Sequence, residues 1–299
     1  MTNPARLNPN YGKGVHTLDI ELASSEEVYE GLKRLFASPD YQPPLLPRAA
    51  IRVNELIREP KVAVTDVVAV LQEDPVLAAA MLRRAQSPAY ATKVPPRSLQ
   101  DAASRLGLQT MRDIVWEVAM KAKVFKHPGC RQFMEELGKH SVATGRVMRL
   151  VASYTSLYDE SAFLVGLLHD IGLVASAHAL ADDSRRRRKK IDLKEYGSIL
   201  ADCHEDAGSV VAKLWELPPE LVMVIGSHHN PVIQGYAHPL IAAGIVAEAI
   251  VCTLGAGLEL GFQRLSHPSP ALLKTSLTTL SIDEKHLERL VEKSRPLLQ

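Results

Sequence analysis

The sequence predicts an all-α fold, and two observations carry that prediction. Strict alternation of apolar and polar residues is nearly absent, while the apolar periodicity of helices recurs from about residue 26 onward. Segment after segment also opens on a capping residue and closes on glycine or proline, as helices do. Fewer than about a tenth of the residues should therefore lie in strands.

The elements follow in order. "SSEEVYEGLKRLF" opens on serines suited to N-capping, with glutamates in the first turn where the helix dipole favours negative charge. "PRAAIRVNELIRE" follows a proline-rich entry, and "VTDVVAVLQED" and "PVLAAAMLRRAQS" are two helices divided at Asp74–Pro75. "SLQDAASRLG" and "QTMRDIVWEVAMKAKVF" come next, joined through Gly107. Pro128 and Gly129 in "KHPGCRQ" interrupt the pattern, and a boundary is placed there. Residues 1–25 are then an N-terminal extension and residues 26–128 a first helical lobe.

The second lobe, residues 129–260, has longer helices. One runs through "ELGKHSVATGRVMRLVASY"; another is "DESAFLVGLLHDIG", with Gly172 as its stop. "LKEYGSILADCHEDAGSVVAKLWEL" ends before Pro218–Pro219, "PELVMVIGSHH" before Asn230–Pro231, and "PLIAAGIVAEAIVCTLGAG" runs out into glycines. Residues 261–299 form a C-terminal helical extension. Its last helix is predicted to begin with Ser281 as N-cap and Glu284 three residues on, a capping box.

Composition narrows the function classes. A chain of 299 residues, 46% hydrophobic and 23% charged, can bury one large core or two modest ones. With 35 Lys and Arg against 34 Asp and Glu, no global field gathers nucleic acid or anionic membrane. The "RRRRKK" stretch, residues 185–190, reads as a solvated loop between helices. The N-terminus lacks an apolar signal core, and no run approaches the roughly 18 uncharged apolar residues of a membrane span. Cys130, Cys203 and Cys252 are odd in number and widely spaced, against a disulfide framework. The expectation is a cytoplasmic protein without a membrane partner. "SLQDAASRLGLQTMRDIVWE" has the outline of a helix-turn-helix, but its second helix offers Gln109, Thr110, Arg112 and Asp113, too few cations to read DNA. No DNA partner is expected. Cys203 adjoins His204, but helical neighbours diverge by about 100°, so an inert thiol is the reading.

Histidines are the conspicuous feature. "AFLVGLLHDIGLV" places His169 and Asp170 inside an apolar run, where an unsatisfied polar group costs about 1–3 kcal/mol and an ion more. His140 shares a stripe with Ala143, Val147 and Val151; His204 shares one with Leu200, Ala207, Val211 and Leu214. His228 falls with Leu221 and Val224, His229 with Val222 and Ile225, and Glu248 among Ile241, Ile245 and Cys252. These are the offsets of core-facing helical stripes. One such histidine is ordinarily a satisfied core residue. On five segments together, a divalent ion at a helix junction would relieve many of the buried groups at once. Adjacent residues on a helix do not share a face, so His169 and Asp170 either share an ion off one side of the helix or leave Asp170 to bridge two ions.

"LLHDIG", with His140 upstream, "CHEDAG" and "SHH" downstream and a late "VAEA" carboxylate, resembles the HD superfamily of metal-dependent phosphohydrolases. "PPLLPRAAIRVNELIREP", "LQEDPVLAAAMLRRAQSPAY" and "SLQDAASRLGLQTMRDIV" narrow the resemblance to the HDOD family of signal-output domains, over roughly residues 43–250. It implies a multi-helix HD-like bundle packed against an N-terminal helical lobe. It also implies His140, His169, Asp170, His204, His228, His229 and Glu248 as metal ligands, with Glu248 where relatives usually carry Asp. The mixed nitrogen and oxygen set suits iron, manganese or zinc, one or two ions, unless the site is vestigial. Relatives that hydrolyse phosphodiesters often continue "HDIGK"; Leu173 stands at the lysine position here, and the GYP motif of the cyclic-di-GMP phosphodiesterase branch is absent. The expectation is a regulatory protein with a signalling partner. The alternative is a phosphohydrolase acting on a nucleotide or cyclic dinucleotide, with Asp170 as its catalytic carboxylate.

Overall fold

A computed structural model describes residues 25–46, 48–87, 96–157, 161–188, 192–260, 263–264 and 267–298. The expected N-terminal extension falls outside them apart from Ser25. About three-quarters of the described residues are helical. Among the described residues, strand is confined to two antiparallel hairpins, β1 (Val232–Ile233) with β2 (Tyr236–Ala237) and β3 (Glu259–Leu260) with β4 (Gln263–Arg264). The fold is all α.

The first five helices are α1 (Ser25–Ala37), α2 (Arg48–Ile57), α3 (Val64–Gln72), α4 (Pro75–Ala85) and α5 (Leu99–Ala119). Local chemistry sets their ends. Asp74 Oδ1 accepts from the Val76 and Leu77 N–H groups at 2.9 and 3.2 Å, and Pro75 takes the first helical position, where its missing N–H is not needed. Ser98 caps α5 by accepting from the Asp101 N–H at 3.0 Å. Gly107 kinks α5 with a φ of 73°, a left-handed value that glycine tolerates best. A π turn over Met120–Val124 and a 3-10 turn over Pro128–Cys130 then lead into α6 (Arg131–Tyr154).

The remaining helices are α7 (Ala162–Leu168), α8 (Ile171–Arg187), α9 (Gly197–Leu214), α10 (Pro219–Ile225), α11 (Pro239–Thr253), α12 (Pro270–Thr279) and α13 (Glu284–Ser294). α2, α3 and α4 pack on α5, α6 packs on α7 and α11, α8 lies along α9, and α12 covers α11. α1 crosses to α9 and buries Val28, Leu32 and Leu35. One continuous apolar core runs through both groups of helices, from Leu32 and Met81 to Trp116, Met148, Leu168 and Val211.

Four sequence expectations need correction. Gly172 does not stop a helix: the break comes earlier, at His169 and Asp170, and Gly172 lies inside α8. A Cβ there would stand 1.9 Å from the His204 carbonyl oxygen, so glycine is what lets the α8 and α9 backbones touch. Arg185, Arg186 and Arg187 are not loop residues but the last turn of α8, where cations suit the helix C-terminus. Buried Asp183 pairs with Arg187 at 2.8 Å and Arg186 at 3.6 Å; Lys189 and Lys190 lie outside the described residues. Ser281 caps nothing: Asp283 is the N-cap of α13, accepting from the His286 N–H at 2.7 Å. Lastly, Ala162–Arg187 as a unit is long and apolar enough to cross a membrane, but 89% of its most apolar window is buried in the fold, as in a core helix.

Candidate metal centre

Five segments converge on the middle of the second group of helices. α6 brings His140, the break between α7 and α8 brings His169 and Asp170, and α9 brings His204. The turn after α10 brings His228 and His229, and α11 brings Glu248. All seven predicted residues meet here. Six of them are 5% exposed or less, and His229 is half-buried.

Their donor atoms form two groups. One nitrogen or oxygen from each of His140, His169, Asp170 and Glu248 lies within 4.8 Å of the others, and the same holds for His204, His228 and His229. Donors about 2.1 Å from one ion stand roughly 3–4 Å apart, so both spacings are of the right order. Asp170 faces both groups. Its Oδ2 lies 3.1 Å from His169 Nε2 and 3.6 Å from His140 Nε2, and its Oδ1 lies 3.6 Å from His228 Nε2 and 3.8 Å from His204 Nε2. Of the two arrangements open to His169 and Asp170, this disposition is the one in which Asp170 stands between. The helix is interrupted at Asp170, whose backbone lies outside the helical region at φ -94°, ψ 19°.

The imidazole orientations are fixed from behind. His169, His204 and His228 each donate Nδ1–H to the carbonyl three residues earlier: Gly166 at 2.9 Å, Ala201 at 2.6 Å and Ile225 at 2.8 Å. His140 donates Nδ1–H to the Ala256 carbonyl at 3.1 Å, in the loop that ends α11. A carbonyl only accepts, so Nδ1 carries the proton and the neutral ring presents a bare Nε2 lone pair. Such lone pairs of His140, His204 and His228 point into the cluster. His204 Nε2 meets His228 Nε2 and His229 Nε2 at 3.1 Å each, and Oδ1 of Asp170 lacks a hydrogen-bond partner. Buried acceptors facing acceptors are costly unless a cation sits among them.

The electrostatics agree. Burial pushes His204 down to about 4, with His228 adding to it, so protonation does not relieve its contacts at neutral pH. Burial likewise lowers His140 and His229. His169 behaves differently: burial opposes its charge, but Asp170 and Glu248 outweigh burial and hold it well above the ordinary imidazole range. Burial would raise both carboxylates, yet His169 keeps Asp170 well below the usual range and Glu248 at about 2. A proton on His169, 3.1 Å from Glu248 Oε1, thus does part of what a metal would do.

Two supporting residues were not legible in the sequence. Thr144, one turn from His140 on α6, has Oγ1 3.5 Å from His140 Nε2. Glu205 accepts the His229 backbone N–H at 3.0 Å and fixes the turn after α10. Thr144 shares the His140 stripe, which was the available signal; Glu205 sits off the apolar stripe of α9 and gave none.

The HDOD domain model matches residues 44–231, well over half of the chain. The chain belongs to the HDOD family. An uncharacterized protein of Treponema pallidum (strain Nichols) is 24% identical over 196 residues, which cover 62% of this chain. The chain spans only 37% of that relative's length. An HDOD domain protein of unknown function from Geobacter sulfurreducens superposes with a TM-score of 0.66 at 24% identity, covering 92% of this chain and 98% of its own. A Shewanella amazonensis SB2B protein, provisionally named a metal-dependent phosphohydrolase, superposes with a TM-score of 0.67 at 17% identity, covering 92% and 99%. At these identities the likeness is one of fold.

Proposed function

We propose that this HDOD protein binds divalent metal at the buried cluster and serves signal output by recruiting a signalling partner, without efficient hydrolysis. The observation that carries the metal reading is the meeting of His204 Nε2 with His228 Nε2 at 3.1 Å, two lone pairs face to face, beside the unpartnered Oδ1 of Asp170. The donor set fits: His140, His169, Asp170 and Glu248 would hold one ion, and His204, His228, His229 and the other oxygen of Asp170 a second. Nitrogen and oxygen donors without thiolate suit iron, manganese or zinc. Bound there, such an ion would polarise a phosphoryl oxygen or acidify a water.

The regulatory reading is supported by what surrounds the cluster. Phosphoryl chemistry needs positive groups on the non-reacting phosphate oxygens. Leu173, at the position where phosphodiesterase relatives carry lysine, is buried in the core. Among the described residues, the side-chain ion pairs and hydrogen bonds of the seven go to one another, to Glu205, to Thr144 or to backbone carbonyls, and none to Lys or Arg. Arg186 and Arg187 are held by Asp183. The phosphohydrolase reading is favoured by the donor set alone.

Elemental analysis of protein purified with metal supplied tests the first claim. Stoichiometric metal is expected in the native chain and none in His169→Ala; a native chain free of metal overturns the reading. Metal-loaded protein should turn over neither phosphomonoesters nor cyclic dinucleotides. Robust turnover that is lost in Asp170→Ala promotes the enzyme instead.

A further inference from the structure

Two cation-rich stretches, distant in sequence, meet about 18 Å along α8 from Asp170 at the helical rise. Residues 121–131, "KAKVFKHPGCR", join the two groups of helices, and residues 185–190, "RRRRKK", begin in the last turn of α8. Neither stretch contains Asp or Glu. The joining stretch is docked on α8. His127 Nε2 lies 3.2 Å from Asp182 Oδ1, its ring centroid 4.8 Å from that of His178, and a Cβ on Gly129 would stand 3.1 Å from Ala181 Cβ. His127 Nδ1 accepts the Gly129 N–H at 3.1 Å, so Nε2 carries the proton and donates to Asp182.

That docking gathers exposed cations around the contact. Lys126 precedes His127 and Arg131 follows the 3-10 turn; Arg185 and Arg186 stand one turn beyond Asp182 on the same side of α8, and Arg188 ends the helix. Lys121 pairs with Glu117, and Arg186 and Arg187 with Asp183. Lys126, Arg131, Arg185 and Arg188 have no side-chain ion pair among the described residues. Asp182, the exposed carboxylate at the contact, is screened by His127 and Arg186. Local structure accounts for the arginines that end α8, since cations suit a helix C-terminus. It does not account for Arg131, the first residue of α6, where the dipole disfavours a cation and the first turn holds no acid. On a chain of net charge +1, like charge gathered from two stretches repels itself until an anion meets it.

We propose that this surface docks an acidic segment of a partner protein, its carboxylates received by Lys126, Arg131, Arg185 and Arg188. The planar fork of arginine takes a carboxylate through two parallel hydrogen bonds. Among the described residues, no exposed large apolar or aromatic side chain lies in either stretch. A nucleic-acid base therefore finds no ring to stack on and a bilayer no anchor, which favours a protein partner. The surface is the site of the partner recruitment proposed above, on which it rests, and it needs no metal.

Fluorescence anisotropy of the full chain with a labelled peptide of alternating Asp and Glu tests the surface. The double variant Arg131→Glu/Arg185→Glu should weaken binding about tenfold, an effect that salt diminishes. Arg131→Glu places an acid at the start of α6 and should stabilise that helix, so lost binding is not lost folding. Asp182→Asn, which keeps an oxygen for His127 but removes the charge, should tighten binding severalfold. Arg58→Glu/Lys61→Glu, two exposed cations elsewhere, should leave it unchanged. An equal loss in that control pair, weaker binding in Asp182→Asn, or no binding by the native chain overturns the proposal. So does tighter binding to a single-stranded RNA of equal charge or to phosphatidylglycerol vesicles. Elemental analysis of the same samples keeps the readings apart: a metal-free chain that binds the peptide fails only the metal reading, and a metal-bearing chain that does not bind it fails only this surface.

Discussion

At Gly172 the backbones of α8 and α9 approach so closely that a methyl group would stand 1.9 Å from the His204 carbonyl oxygen and 2.6 Å from the Gly208 nitrogen. Both obstacles are backbone, so neither can rotate away. Overpacking of this kind costs about 1–3 kcal/mol, and more where the neighbours cannot yield. Gly172→Ala should lower the urea midpoint and, by pushing His204 away from Asp170, lose metal while helix content by circular dichroism persists. Retention of native metal in Gly172→Ala would mean that the two helices need not touch. The sequence could not distinguish this role from a helix stop, because glycine serves both and the difference lies in α9, a helix that only arrives later in the chain. The centre itself was legible for the opposite reason. His140, His204 and Glu248 each sit on an apolar helical stripe, and burial of a polar group demands a partner wherever it occurs.

Helix ends show where local patterns mislead. Ser281 and Glu284 have capping-box spacing, but Ser281 is taken by the preceding element: it lies at φ 55°, just past the end of α12, while the Ile282 N–H closes back on the Leu277 carbonyl at 2.9 Å. That is the left-handed ending of a helix, and it leaves Asp283 to start α13. Asp283→Ala should therefore lower the stability measurably. Ser281→Gly should cost nothing or stabilise slightly, since glycine suits a positive φ better than serine. Denaturant unfolding of the two variants checks the assignment; the reverse order would restore Ser281 as the cap. The break at His169–Asp170 has no capping signal of its own, since the Asp170 side chain caps nothing. Helical periodicity continues through "GLLHDIGLV", so nothing in the spacing marks the interruption that turns Asp170 toward both groups of histidines.

Across the whole molecule, the two groups of helices are joined by buried charge as well as by the shared core. Arg146 on α6 reaches Glu117 on α5 through Nη2, at 2.8 and 3.0 Å from its two oxygens. Its Nη1 donates to the Leu297 carbonyl at 2.7 Å, tying in the C-terminal segment. A second link runs from Asp113 on α5 to Arg149 on α6, with Arg112 at 3.1 Å from the same carboxylate. Burial opposes ionisation of Glu117, but Arg146 and Lys121 outweigh it and hold the group below its ordinary value of 4.5. A carboxylate whose folded pKa is depressed stabilises the fold above its unfolded pKa, and that contribution is lost as pH falls through the folded value. The Glu117 share of stability should thus be complete at neutral pH and decline on acidification below about 4.5. Glu117→Gln should lower stability at pH 7 by about 1.5–3 kcal/mol, the range for hydrogen bonds to charged groups, and flatten the acid limb of the stability profile. Urea midpoints from pH 3 to pH 7 would show it. If the variant kept the full acid limb, the pH dependence would have to come from other carboxylates, and the tie between α5, α6 and the C-terminus would be one of packing alone.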